Sequence, residues 1–186
     1  MTVPRTDRYG LSMTRDAVVV GAAVRAAWES SRTLTPQTTD AEPEQTRRLV
    51  QDVANTYGSE EVARASVFLV GVLASYLTRD ADQPGGIDPL SDLVPGVIEK
   101  LSAIEMADPA QAPMVSGVLT AAVLGLDTLA WRDQFGPVQP AEALNHTFVI
   151  GLLSDLLDIT AERPGAANEI MQEAFAPLAA EEDATT

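Results

Sequence analysis

Two helix-length segments are apolar on every side, and they constrain the fold more than any other feature of this sequence. One segment covers Ala65 to Leu77 (ASVFLVGVLASYL), and the other covers Met114 to Leu126. A helix without a polar face is normally buried, either inside a protein or in a membrane. The chain must therefore cover these segments with other helices or place them in lipid.

A membrane location is not expected for either segment. The longest uncharged run, Pro109 to Leu126, has 18 residues and includes two prolines, Gln111, Ser116 and Thr120. A spanning helix needs about 20 predominantly apolar residues. No basic cluster flanks either segment to set an orientation. We therefore interpret both as interior helices and expect no membrane interaction.

Helical periodicity recurs along the chain, and no run of alternating β-branched residues bounded by hairpin turns interrupts it. The sequence predicts an all-α fold, a compact bundle of about seven helices with apolar central helices. A length of 186 residues fits a single domain. We place a flexible N-terminal arm at 1–13, the helical domain at 14–180 and an acidic C-terminal tail at 181–186. The predicted helices are 14–32, 43–57, 60–79, 91–104, 113–133, 140–163 and 166–176.

Charge is distributed unevenly along the chain. Residues 1–50 hold seven arginines and six acidic residues, a net charge of +1, whereas residues 51–186 hold four arginines and Lys100 against 21 acidic residues, a net charge of −16. A nucleic-acid interface needs a basic face that neutralises phosphates. We therefore expect no nucleic acid as a partner. Solubility is the simplest explanation of the acidity, and a basic protein partner or adaptation to high salt are the alternatives.

Cysteine is absent, which removes disulfides, thiolate metal sites and cysteine nucleophiles. The polar opening MTVPRTDRYGLSMTRD lacks the pattern of an export signal. The basic residues are almost all arginine and alanine is abundant, as in GC-rich genomes. We expect a cytoplasmic protein of bacterial type.

His146 is the only histidine, and Glu142 lies four residues before it on the same face of a predicted helix. Leu153 and Leu157 share that face, so the favoured interpretation is a core histidine with one hydrogen bond. Metal binding with Glu142 and general acid–base catalysis remain alternatives. A bundle with two carboxylate-bridged metals uses Glu-x-x-His pairs from two helices, which one histidine cannot supply. The sequence assigns no catalytic, cofactor-binding or metal-binding residue.

Two acidic groups resemble metal sites only in part. Asp155, Asp158 and Glu162 form one helix face that could hold Mg²⁺ through a substrate phosphate, but a solvated surface is favoured. The loop beginning at Asp80 resembles the start of a calcium loop. It has Pro84 where the calcium loop needs an oxygen ligand and Ser91 where it needs a bidentate glutamate. An ordinary acidic turn is expected there.

Known catalytic and phosphate-binding motifs are missing: there is no Gly-x-Gly-x-x-Gly, no phosphate loop, no Gly-x-Ser-x-Gly and no His-Glu-x-x-His. The stretch TRDAVVVGAAVRAAWE resembles the first helix of TetR-type repressors. The following SSRTLTPQTTDAEPEQ has no short turn into a second and a recognition helix. Neither membership of that family nor DNA binding is predicted from one helix.

Several predicted helices contain an interior glycine with apolar neighbours, which favours close approach between central helices, with composition bias as the alternative. These glycines are Gly21, Gly71, Gly117, Gly125 and Gly151.

The leading functional hypothesis is a non-catalytic protein-interaction or scaffold module. One alternative is a protein that holds an apolar small ligand between the helices predicted at 60–79, 113–133 and 140–163. A second alternative is an enzyme that uses Glu142 and His146. Because several helices are richly apolar, we also expect homodimerisation through an apolar helix face.

Overall fold

The computed structural model describes residues 20–22, 24–25, 41–79, 86–136 and 138–183, with side chains except at 41–43, 45–46 and 175–183. The predicted arm at 1–13, most of the helix at 14–32 and the loop at 80–85 lie outside these residues. Within them the chain forms no β-strand. The helices are α1 (Ala41–Tyr57), α2 (Ser59–Leu77), α3 (Val94–Ser102), α4 (Ala112–Val123), α5 (Thr128–Arg132), α6 (Pro140–Thr160) and α7 (Ala166–Asp183).

Shorter helical turns connect these elements. A π-helical turn (Pro89–Leu93) precedes α3, and 3₁₀ turns precede α4 (Pro109–Gln111) and follow α5 (Asp133–Phe135). Residues 20–22 and 24–25 are also helical. The prediction of an all-α bundle is confirmed. Among the described helices, none combines the length and the hydropathy required to span a bilayer.

Helix α2 lies at the centre of the bundle. It packs most extensively against α6 and also contacts α1, α4, α5 and α7. The fully buried side chains of α2 join one hydrophobic cluster with Leu119 of α4 and with Ile150 and Leu153 of α6. Burying a side chain of this size stabilises a fold by about 1.5–3 kcal/mol. The apolar helices thus cover one another within a single chain.

The prediction of one helix over 113–133 is wrong, because the chain forms two helices there, α4 and α5. Gly125 adopts a left-handed φ of 70°, and the N–H of Leu126 donates to the carbonyl of Ala121 at 2.9 Å. This pattern is a Schellman motif, which ends a helix. Asp127 then caps α5 by accepting from the N–H of Ala130 at 2.9 Å. Gly125 is therefore a helix-ending glycine rather than an interior one.

Gly117 of α4 lies in close contact with the side chain of Trp131. A Cβ placed there would lie 2.8 Å from Cζ2 and 3.1 Å from Cζ3 of Trp131, and closer still to Cη2. The predicted close approach at this position is thus to an indole ring rather than to another helix backbone. Gly71 and Gly151 are buried in α2 and α6, and Gly21 is buried in the helical residues near the N-terminus.

Candidate functional site

Glu142 and His146 are buried side by side on α6. Pro140 begins this helix, where its fixed φ and missing N–H suit the first position. Glu142 therefore falls in the first turn and His146 one turn later. Glu142 is 1 % exposed and His146 0 % exposed. Nδ1 of His146 and Oε1 of Glu142 are 4.0 Å apart, too far for a hydrogen bond.

The partner of Glu142 is Arg132, which the sequence analysis did not identify. Nε of Arg132 donates to Oε1 of Glu142, and Nη2 donates to Oε2 at 2.7 Å. Nη1 donates to the carbonyl of Gly136 at 2.9 Å. Two parallel hydrogen bonds to one carboxylate are the strongest geometry for such a pair. Arg132 and Glu142 thus form a buried bidentate ion pair.

The local sequence brings these two side chains together. Arg132 is the last residue of α5, and a 3₁₀ turn follows directly. Gly136 then adopts a φ of 81°, which lets the chain turn back toward α6. A buried carboxylate needs a cation or several donors. A search for an arginine within about ten residues before Glu142 would have found Arg132.

His146 is neutral near pH 7 in this setting. Burial lowers its pKa to about 4, and Arg132 adds to the lowering, while Glu142 opposes it. Neither ring nitrogen has a hydrogen-bond partner in the part of the chain that the structure describes. The predicted core location of His146 is therefore correct, but the predicted hydrogen bond is not found. Leu153 and Leu157 are buried on the same helix, as expected.

Asn145, the neighbour of His146, connects α6 to the loop before α4. Its Oδ1 accepts from the N–H of Asp108 at 3.0 Å, and its Nδ2 donates to the carbonyl of Asp108 at 2.9 Å. The Asp108 side chain in turn caps the 3₁₀ turn that leads into α4. This part of α6 therefore serves as an attachment point for two surrounding segments.

Among the acidic residues near the end of α6, Asp158 has a structural role. Asp158 accepts from the N–H groups of Gly165 and Ala167 at 2.8 and 3.0 Å, which ties the start of α7 to α6. Asp155 and Glu162 are exposed. Glu162 lies beyond the end of α6 with a φ of 50°, so the prediction that all three residues share one helix face is wrong. Among the described residues, no group of three or more acidic or histidine side chains is arranged to hold a metal ion.

Two open grooves are lined by described residues, and neither includes Glu142 or His146. The larger, about 580 Å³, lies where the ends of α2 and α6 meet α7, with Leu77, Leu157 and Ile170 among its lining. The smaller, about 410 Å³, lies between α1 and the start of α6. Residues of α4 line neither groove, so both lie away from the α2–α4–α6 interior.

The connection between α4 and α6 carries exposed apolar side chains. We define the apolar corner as Leu124, Leu126, Trp131 and Phe135. Leu124 is 57 % exposed, Leu126 48 % and Phe135 54 %. The ring centroids of Trp131 and Phe135 are 4.7 Å apart. Three of the large apolar side chains that the described residues expose thus lie within this one connection.

The described residues therefore define an all-α bundle with a buried ion pair and an exposed apolar corner. Comparisons with protein-family models, curated proteins and solved structures find no match to this chain.

Proposed function

We propose that this chain is a non-catalytic protein-interaction or scaffold module. The observation that carries the proposal is the exposure of Leu124, Leu126 and Phe135 on an otherwise acidic body. Exposed large apolar groups grouped on a polar surface are typical of binding sites. The proposal includes a cytoplasmic, bacterial setting, which the lack of cysteine and the arginine-rich composition favour.

Catalysis by Glu142 and His146 is not proposed. Both oxygens of Glu142 accept from Arg132, and the side chains of this ion pair are 2 % and 4 % exposed. A general acid or base must reach the proton it transfers, and its pKa works best near the operating pH. The pKa of His146, about 4, lies well below neutrality. The arrangement instead favours a structural role.

An apolar ligand is the second candidate function, and the larger groove favours it. Its apolar lining includes Leu77, Leu157 and Ile170, with Tyr76 also contributing. This groove differs from the site expected between α2, α4 and α6. Native mass spectrometry of the purified chain tests the candidate, since a retained small molecule would support it and a clean apoprotein mass would count against it.

Homodimerisation is a further part of the proposal, and it stays a prediction. Its original basis was the difficulty of covering the richly apolar helices. Mutual packing of α2, α4 and α6 within one chain accounts for much of that apolar surface. Light scattering at micromolar concentration separates the two cases, and a clean monomer would remove the dimer.

The interaction function is tested by cross-linking in the source cell. A tagged chain is treated with a general cross-linker in living cells, and its partners are quantified by mass spectrometry after stringent washing. Because the chain has a single lysine, Lys100, a photo-reactive amino acid is preferable to an amine-reactive reagent. A reproducible protein partner is expected. A chain that purifies alone and turns over a metabolite would refute the proposal.

A further inference from the structure

The members of the apolar corner occupy one region of the surface. The indole of Trp131 lies against Gly117 of α4, and Phe135 contacts the same indole. Leu124 follows Gly117 by seven residues, two helical turns, so it lies on the same side of α4 about 10 Å further along. Leu126 follows two residues later. The aromatic pair therefore packs against α4, and the two leucines lie at the end of that helix.

This face is held rigidly, although it belongs to a connection rather than to a long helix. Arg132 lies between Trp131 and Phe135 in sequence, and its buried ion pair with Glu142 ties them to α6. Arg64 of α2 pairs with Asp133 at 2.5 Å. Asp127 caps α5. Ordering a flexible loop on binding costs affinity, so side chains that are already fixed bind more tightly.

Acidic groups border the apolar corner. Glu60, Glu61 and Asp133 all act electrostatically on Arg64, and Asp127 lies at the start of α5. Arg132 adds no positive charge to this border because Glu142 neutralises it inside the core. Three carboxylates thus act on one arginine, Arg64, which leaves an excess of negative charge. A second copy of the chain, with its own charge of −15, would bring the same acidic border to this face, so the homodimer proposed above is expected to use a different face.

We propose that the apolar corner is the docking face for a basic segment of another protein, one that presents arginine or lysine side chains beside a large apolar residue. The inference rests on the proposed interaction function and names its surface. Cations would meet the carboxylates around Arg64, while the apolar residue packs beside Phe135 and Leu124. An arginine could also stack on Trp131 or Phe135. Aromatic residues are frequent energetic centres of such interfaces.

Peptide selection on the full chain tests the proposal directly. A display library of short random peptides is selected on the wild-type chain and depleted on a Leu124→Ser/Phe135→Ser variant. Recovered peptides are expected to carry excess arginine or lysine and at least one large apolar residue. A synthetic copy of the most enriched peptide should bind Phe135→Ser about tenfold or more weakly than wild type. Its affinity should also fall as salt is raised.

Ile159→Ser is the matched control. Ile159 is 70 % exposed at the end of α6, so its replacement removes an exposed apolar group outside the apolar corner. Peptide affinity should be unchanged in this variant. Circular-dichroism melting curves of Leu124→Ser and Ile159→Ser should match that of wild type, because exposed side chains contribute little to stability. Phe135→Ser also loses the ring contact with Trp131, so its melting temperature should be slightly lower while the chain remains folded.

Several results would overturn the proposal. These are the recovery of acidic or neutral peptides, the absence of any enriched peptide, equal binding by the Phe135→Ser variant, or a wild-type dimer that Phe135→Ser dissociates. A protein partner that is cross-linked in cells and retained by Phe135→Ser would refute this docking face while leaving the interaction function standing. Loss of that partner on Phe135→Ser, with retention on Ile159→Ser, supports both.

Discussion

Breaking the buried ion pair should destabilise the fold strongly. In Arg132→Met, the carboxylate of Glu142 loses both hydrogen bonds from a site where it is 1 % exposed. Removing one partner of a buried pair costs about 3–5 kcal/mol. For a chain of this size, 1 kcal/mol shifts the melting temperature by about 2–4 °C. The expected decrease is therefore about 6–20 °C.

The double variant Arg132→Met/Glu142→Leu separates charge from packing. Replacing both members by apolar groups removes the uncompensated charge, so stability should recover most of the loss and the two changes should not be additive. Urea unfolding followed by circular dichroism gives the free energy of unfolding for wild type, both single variants and the double variant. Full additivity, or single losses below about 1 kcal/mol, would refute the assignment of a buried pair.

The exposed pair of Arg163 and Glu169 provides an internal control. Its closest N–O distance is 2.6 Å, but the side chains are 57 % and 63 % exposed. Water and salt screen such pairs, and they contribute about 0–1 kcal/mol. Arg163→Met should therefore change stability far less than Arg132→Met. Equal losses would mean that burial does not determine the strength of these pairs.

Three further changes test the core. The pKa of His146 is about 4 in the native chain against 6.5 for a free histidine. Between these pH values the unfolded chain therefore binds one more proton than the native chain. The free energy of unfolding should fall by up to about 3 kcal/mol as the pH drops from 6.5 to 4. His146→Leu should lack this contribution in urea titrations across that range, and an unchanged slope would contradict the assignment. Gly117→Ala should displace the indole of Trp131, and NMR should show this as a shift of one indole N–H resonance. Overpacking should cost about 1–3 kcal/mol of stability, and the better helix propensity of alanine should offset about 1 kcal/mol of that loss. An unshifted resonance would contradict the contact. Gly71→Leu should destabilise by about 1–3 kcal/mol, and an unchanged melting temperature would place Gly71 beside open space.

Local patterns predicted most of the helices, and they also placed His146. The last helix is an exception, because α7 continues to Asp183 instead of ending at 176. The apolar repeat of α6 put Leu153 and Leu157 on the side of His146, and burial of all three followed from that periodicity. Such information lies within one or two helical turns. It is available from the sequence because neighbours on a helix face are fixed by the geometry of the helix.

Contacts between elements were not predictable in the same way. Arg132 reaches Glu142 across a turn whose path depends on the positive φ of Gly136. Asn145 binds Asp108, which is 37 residues away. The end of α4 could have been recognised from Gly125 followed by Asp127, but the apolar residues that continue to Trp131 concealed the break. In each case the missing information was how the chain turns between helices.

The central position of α2 has a consequence for the motions of the protein. Because α2 contacts α1, α4, α5, α6 and α7, displacing any single neighbour leaves it covered by the others. Its backbone amides should exchange hydrogen for deuterium only when the whole bundle opens. Exchange rates measured in α2 would then give the global free energy of unfolding, whereas those at chain ends and exposed turns would give only local openings.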